Sequence, residues 1–263
     1  VTCSVVERER ILAVLPGAEL ESVGLAAEPV ELMLVVDDPR DEASYVPALG
    51  AAGYRVVVRE DGWHDHRLLE GPGARLYVFG RVRAEPGDVE FVTENPPHNA
   101  PIELQEYDPV WPRWYAAEEA KIRAALGDAV VRVEHCGSTS VPGLAAKPLI
   151  DIVLVVPDSN DEDAYVPALV DAGYYLRLRE RSWYEHRLLK GTVPNVNLHV
   201  FSPGCEEVDR MLTFRDRLRT HPQDRAEYEA AKRALASQTW QRVQDYADAK
   251  TRVVARIILR ALS

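Results

Sequence analysis

Trp63-His64-Asp65-His66-Arg67-Leu68-Leu69-Glu70-Gly71 and Trp183-Tyr184-Glu185-His186-Arg187-Leu188-Leu189-Lys190-Gly191 are two versions of one phrase. One constant offset carries the first onto the second. The same offset carries Tyr45-Val46-Pro47-Ala48-Leu49 onto Tyr165-Val166-Pro167-Ala168-Leu169, and Gly53-Tyr54 onto Gly173-Tyr174. A spacing shared by several blocks is the mark of a duplicated structural unit. The copies are not equivalent. Only the second contains Gly137-Ser138-Thr139-Ser140-Val141-Pro142-Gly143, so one half is equipped for chemistry and its twin reads as a scaffold.

Working outward, the first copy reads helix, strand, helix and then a run of strands. Val6, Ile11, Leu12 and Leu15 fall at near-helical spacing in residues 5–15, before Pro16-Gly17. The apolar run 30–36 predicts a buried strand, and residues 41–52 a helix stopped by Gly53. Residues 54–59, 67–69 and 76–79 are strand-like. Between the copies, Pro86-Gly87, Pro96-Pro97 and many acidic residues mark a linker, whose strand-like pieces 89–93 and 102–105 would add to a sheet edge.

In the second copy Asp108 and Pro109 predict an N-cap and N1 pair for a helix over 111–126, ended by Gly127. Strands follow at 130–134 and 149–156, a helix at 162–172, and strands at 174–179, 186–189 and 196–201. From Glu206 the chain reads as helical, with Pro222 opening one segment and Val243, Tyr246, Val253, Ile257 and Leu262 striping the last. The expected fold class is α/β (α+β): a mixed sheet with flanking helices, duplicated, with a helical C-terminal region. The expected domains are a degenerate repeat at 1–80, a linker at 81–106 and the equipped domain at 107–263.

The 263 residues, 46% apolar, suit two modest globular domains. A net charge of −11 argues against broad nucleic-acid binding, which needs a basic stripe, but leaves room for one local phosphate site. Cys3, Cys136 and Cys205 form no CxxC, so neither zinc nor a disulfide framework is indicated and a cytoplasmic setting is expected. No apolar run reaches the roughly 20 residues of a membrane span. Glu7, Arg8, Glu9 and Arg10 stand where a secretory apolar core would be.

Asp151 sits between Ile150 and Ile152 in a strand that should be buried. A lone carboxylate there costs several kcal/mol unless compensated. It reads either as a strand-end residue facing solvent or capping a helix, or as a metal ligand at a cleft rim. Gly137, Ser138, Thr139 and Ser140 follow a strand, where backbone N–H groups and hydroxyls can cradle a phosphate. His199 shares a strand face with Asn197. It reads as a core histidine or as a ligand, and Tyr77 in the first copy shows that the fold does not require imidazole there. Lys147 answers Glu28, a charge reversal suited either to phosphate binding or to a surface ion pair. Trp183, His186 and Arg187 recur as Trp63, His66 and Arg67, which points to packing, with Arg187 a secondary phosphate candidate.

Tyr107-Asp108-Pro109-Val110-Trp111, Glu134-His135-Cys136-Gly137-Ser138-Thr139-Ser140-Val141-Pro142-Gly143-Leu144 and Lys147-Pro148-Leu149-Ile150-Asp151-Ile152 resemble the GrpB-like family of the nucleotidyltransferase superfamily. Leu198-His199-Val200, Phe214-Arg215-Asp216-Arg217-Leu218-Arg219, Tyr228 and Lys232 complete the match. The first copy joins only through the repeat, with Glu31 opposite Asp151 and residues 25–29 echoing 144–148.

The resemblance implies a nucleotidyltransferase-like core in which a Gly-Ser turn holds a triphosphate and acidic residues hold divalent metals. It implies Asp151 and His199 as metal ligands, for magnesium, manganese or a transition metal. Gly137, Ser138, Thr139, Ser140, Lys147, Arg187 and Arg215 would take phosphate or substrate, and Glu134 or His135 would be a base. Val153 replaces the second carboxylate, and Asn197 stands where the family commonly has another His, which favours one metal over two, or none.

The implied function is metal-dependent transfer from a nucleoside triphosphate to a small-molecule acceptor. The alternative is a non-catalytic nucleotide- or metabolite-binding module linked to coenzyme A metabolism, because such domains are also found fused to a dephospho-coenzyme A kinase. A structural role, with the halves forming a groove for a peptide, ranks third. The duplication forms an internal pseudo-dimer, and the chain itself is expected as a monomer or homodimer.

Overall fold

The duplicated phrases build duplicated sheets. In a computed structural model, residues 3–23, 29–59, 66–80, 89–94 and 101–262 are described, and the chain divides into two units, 1–84 with 255–263 and 85–254. Trp63 and Glu28 lie outside the described residues.

The first unit contains α1 (Cys3–Val14), β1 (Glu19–Ser22), β2 (Val30–Val36), α2 (Val46–Ala51), β3 (Arg55–Arg59), β4 (Arg67–Glu70) and β5 (Ala74–Gly80). Its five strands run in the order β1-β2-β5-β4-β3, with β2 and β5 parallel and the other pairs antiparallel.

The second unit contains β6 (Val89–Phe91), α3 (Trp111–Leu126), β7 (Arg132–Cys136), β8 (Ile150–Val155), α4 (Val166–Asp171), β9 (Tyr175–Glu180), β10 (His186–Gly191) and β11 (Val196–Phe201). The helices α5 (Glu206–Thr220), α6 (Pro222–Ala236), α7 (Val243–Ala249) and α8 (Thr251–Leu262) follow, α8 grouping with the first unit from Ala255 onward. The six-stranded order β6-β9-β10-β11-β8-β7 reproduces the first sheet with one strand added. Even the bulge recurs, at Val57 in β3 and Arg177 in β9. The fold is thus mixed α/β, two mixed sheets flanked by helices.

Several local expectations are corrected. Strand β1 was not legible, because an edge strand reading Glu-Leu-Glu-Ser with one buried residue makes no apolar run. Residues 41–52 and 162–172 are not continuous helices. Each begins as a 3-10 turn that breaks at a buried tyrosine, Tyr45 or Tyr165, whose hydroxyl donates to Pro39 O (2.6 Å) or Ser159 O (2.7 Å). Val110, not Asp108, caps α3, and Asp108 Oδ1 instead accepts the Val110 N–H at 2.8 Å. Of the linker pieces, β6 joins the edge at β9, whereas residues 102–105 contribute a single bridge, Gln105 to Ala146. No helix among the described residues is long and apolar enough to cross a membrane.

Strand alternation gives the second sheet two unlike faces. Ile150, Ile152, Leu154, Leu189, Leu198 and Val200 pack under α3 and α4, against Trp111, Ile122, Tyr165 and Leu169. On the opposite face Cys136, Val153, Val155 and Phe201 pack under Val208 and Leu212 of α5.

Arg187 points to the helix-covered face and is wholly buried. It donates to Glu162 Oε1 (2.6 Å), Asn160 Oδ1 (2.9 Å) and Glu185 O (2.8 Å), while Arg179 grips the same Glu162. Arg67 and Arg59 hold Glu42 in the same way in the first copy. Arg187 is therefore a strut, and its expected phosphate role is not met, since the strand turns it away from Asp151.

Hydrogen bonds from Arg179 and then Arg187 outweigh burial and hold Glu162 down to about 2. Glu162→Gln strands a buried guanidinium and should cost about 3 kcal/mol in urea denaturation at neutral pH. Because the folded carboxyl is depressed, its stabilisation is present above the ordinary carboxylate range. The gap between wild type and variant should therefore narrow as pH falls from 4.5 towards 2.

Candidate functional site

The parallel pair β8–β11 sets Asp151 beside Asn197 and Val153 beside His199, and β10 sets Lys190 beside Asn197 and Leu188 beside His199. Asp151, Asn197, His199 and Lys190 thus share one sheet face. Asn197 Nδ2 donates to Asp151 Oδ1 at 2.8 Å, and His199 Nε2 stands 3.9 Å from that oxygen. Asn197 Oδ1 is buried and has no hydrogen-bond partner.

Gly137 closes the other flank. It adopts φ 67° and ψ −173°, a region open essentially to glycine alone, and a Cβ there would lie 2.3 Å from Asp151 Oδ2. The glycine is required by the carboxylate it touches.

The turn after Gly137 is braced from within. Ser140 Oγ donates to Gly137 O (2.6 Å) and Thr139 Oγ1 to Leu149 O (2.9 Å). These two hydroxyls, expected to bind phosphate, are buried and committed to the loop's own carbonyls. Ser138 is the exception: among the described residues its hydroxyl makes no hydrogen bond, and the Ser138 and Thr139 N–H groups find no backbone acceptor.

The helical hairpin braces the turn from outside. Arg215 donates to His135 O (3.0 Å), Arg219 to Ser140 O (2.8 Å), and Lys232 to Ala145 O. Arg215 also bonds Glu134 and Asp216, so its phosphate role is replaced by a clamping one. Glu134, expected as a base, is held by Arg132 and Arg215. His135 lies on strand β7 next to Ile152, stacked on Tyr115, and not on the Asp151 face.

The imidazole of His199 is one link in a chain across four neighbouring strands. Glu180 on β9 bonds His186 Nδ1 (2.6 Å), and His186 Nε2 on β10 lies 3.1 Å from His199 Nδ1 on β11. Asp151 on β8 completes the line. Burial pushes His186 down to about 4 despite Glu180, so its ring is neutral at neutral pH. A neutral His186 that donates from Nδ1 to a carboxylate must accept at Nε2, so His199 donates from Nδ1. His199 Nε2 is then the ring nitrogen turned towards the Asp151 carboxylate, where a proton or a cation would join the two.

Asp151 is ionised: burial alone would raise its carboxyl, but His199 and the Asn197 amide outweigh burial and hold it below the usual carboxylate range. Lys147, Lys190 and Lys250 supply positive charge around it, with burial lowering Lys147 and Lys190. Burial also lifts Glu207 on α5, within electrostatic reach of His199, to about 7.

A metal ion is held at about 2 Å by nitrogen or oxygen, so one ion can span the 3.9 Å between Asp151 and His199. Among the described residues no three His, Cys, Asp or Glu side chains form a metal cluster. Buried Val153 removes the second carboxylate, so the residues present do not fit a two-ion clamp. The first copy has filled the same space with its own charge. Glu31, Arg75 and Tyr77 replace Asp151, Asn197 and His199, with Tyr77 Oη donating to Glu31 at 3.3 Å and Arg75 4.0 Å from it.

The sequence reading missed Glu180, Lys190, Glu207 and Lys250, and took His186 for packing alone. Lys190 carried a usable signal, since it reverses Glu70 at the constant offset and alternates with His186.

The GrpB protein family model matches residues 101–260. The chain belongs to the GrpB family. A UPF0157 protein of Halalkalibacterium halodurans is 56% identical over 170 residues, spanning 65% of this chain and 87% of that protein. The crystal structure of the conserved protein GrpB from Enterococcus faecalis is similar at a TM-score of 0.52 and 28% identity, covering 61% of this chain and 97% of that one. A dephospho-CoA kinase of Mycolicibacterium paratuberculosis is 29% identical over 161 residues, 51% of this chain and 40% of the kinase. The GrpB membership and the sheet architecture are consistent with the nucleotidyltransferase placement.

Two outcomes follow. Gly137→Ala should lower stability by about 1–3 kcal/mol in chemical denaturation, since it strains the turn and displaces Asp151. His186→Phe removes the acceptor of the His199 Nδ1 proton, and the His199 ring should shift to the Nε2–H tautomer in ¹⁵N NMR.

Proposed function

We propose that the Asp151 face binds the phosphate chain of a nucleoside triphosphate with one divalent cation and transfers a nucleotidyl or related group to a small-molecule acceptor. The observation that carries this reading is the 3.9 Å juxtaposition of the Asp151 carboxylate and the His199 Nε2, ringed by Lys147, Lys190 and Lys250. Asp151 and His199 would hold the ion, a donor set better suited to manganese or a transition metal than to magnesium. A divalent ion supplies Lewis-acid polarisation of a phosphoryl oxygen. Lys147 and Lys190 neutralise phosphate charge, and the Ser138 hydroxyl with the Ser138 and Thr139 N–H groups donates to phosphate oxygens. A cytoplasmic location, where nucleoside triphosphates are available, belongs to this reading.

The loss of the second carboxylate at Val153, together with the similarity to a dephospho-CoA kinase, favours a second reading: a non-catalytic nucleotide-binding accessory module of coenzyme A metabolism. Thermal melts with each nucleoside triphosphate, with and without magnesium, manganese or zinc, separate the two. A ligand selective for the native state raises the melting temperature. The transferase reading expects a rise that needs nucleotide and metal together and is lost in Asp151→Asn, with turnover lost as well. A metal-independent rise retained in Asp151→Asn supports the accessory module.

A further inference from the structure

Several residues of the family-like blocks meet away from the Asp151 face. Ser140 and Pro142, from the turn whose Gly137 presses on Asp151, line a cavity of about 420 Å³ with residues of α3, β7, α5 and α6. That volume lies in the range of small-molecule sites. Tyr107, Tyr115 and Pro142 give it flat, apolar walls, Tyr115 stacking on His135 with ring centroids 4.7 Å apart.

The polar groups in the cavity are unequal in what they have left to offer. Arg215 is satisfied by Glu134 and Asp216, and Arg219 forks onto the Ser140 carbonyl. Arg225 on α6 is different: among the described residues its guanidinium makes no hydrogen bond and no ion pair, and it lines the cavity from a partly buried position. In a chain of net charge −11 a cation without a carboxylate partner is notable, because acidic side chains are abundant.

His135 adds a directed acceptor. Thr139 Oγ1 spends its only proton on Leu149 O, so it must accept from His135 Nε2 at 3.1 Å. Burial pushes His135 down to about 4, which leaves the ring neutral with its lone pair on Nδ1. Among the described residues that nitrogen makes no hydrogen bond.

We propose that this cavity is a second ligand site, taking a small molecule that joins an oxyanion to a planar aromatic ring. Arg225 receives the oxyanion. Tyr107 and Tyr115 flank the ring, and His135 Nδ1 accepts a hydrogen bond from a donor on it. The site stands independently of the transferase reading, since none of these groups touches the Asp151–His199 gap.

Isothermal titration of the full chain with phenyl phosphate, benzoate and inorganic phosphate tests it. Phenyl phosphate or benzoate should bind saturably and more tightly than inorganic phosphate. Arg225→Glu should weaken that binding at least about tenfold, the worth of one charged hydrogen bond. Tyr107→Ala should remove the preference for the aryl anion, and Asp151→Asn should change nothing. Circular dichroism confirms that each variant is folded. The proposal is overturned by no saturable binding of either aryl anion, by equal affinity in Arg225→Glu, by no preference over inorganic phosphate, or by loss of binding in Asp151→Asn, which would place the ligand at the Asp151 face.

Discussion

The register of the parallel pair β8–β11 is the constraint on which the second unit rests. It sets Asp151 next to Asn197 and His199 one pleat along, and it also decides which residues enter the core. A slip of one residue would drive Asp151 into the apolar layer of Ile150, Ile152 and Leu198 and turn those residues outward. The apolar content of both strands therefore fixes the carboxylate's position. Gly137 then locks it from the flank, because only a residue without Cβ can stand so close to Asp151.

A second layer of support is the use of cations to hold a loop. Arg215, Arg219 and Lys232 donate to carbonyls of His135, Ser140 and Ala145, groups that a turn would otherwise bury unpaired. The loop keeps its shape because the helical hairpin of α5 and α6 docks on it, so the C-terminal helices of this unit and its glycine turn are one cooperative assembly.

Much of this was legible in the sequence. The duplication, the strand at 196–201, the helix at 111–126 and the pairing of Glu31 with Asp151 followed from offset and periodicity, and the registers match them, with Tyr77 answering His199 after a shift of two residues in the last strand. Residue roles were less legible. Arg187, Arg215, Thr139 and Ser140 were expected at a phosphate and instead serve a carboxylate or backbone carbonyls. A donor that satisfies the fold and one that satisfies a ligand have the same composition, and only the direction of the side chain separates them. Glu180 and Lys250 were invisible for another reason: they reach the site from elements distant in sequence, without a local pattern to announce them.

The first unit shows what becomes of such a face when its counter-charge is covalently supplied. With Arg75 in place of Asn197 and Tyr77 in place of His199, the acid at Glu31 is quenched by its own chain. That half has no electrostatic debt for an outside molecule to settle. Its acid is paired within its own sheet, while the twin leaves 3.9 Å between the Asp151 carboxylate and the His199 imidazole. One duplicated pattern thus serves two electrostatic ends in a single chain.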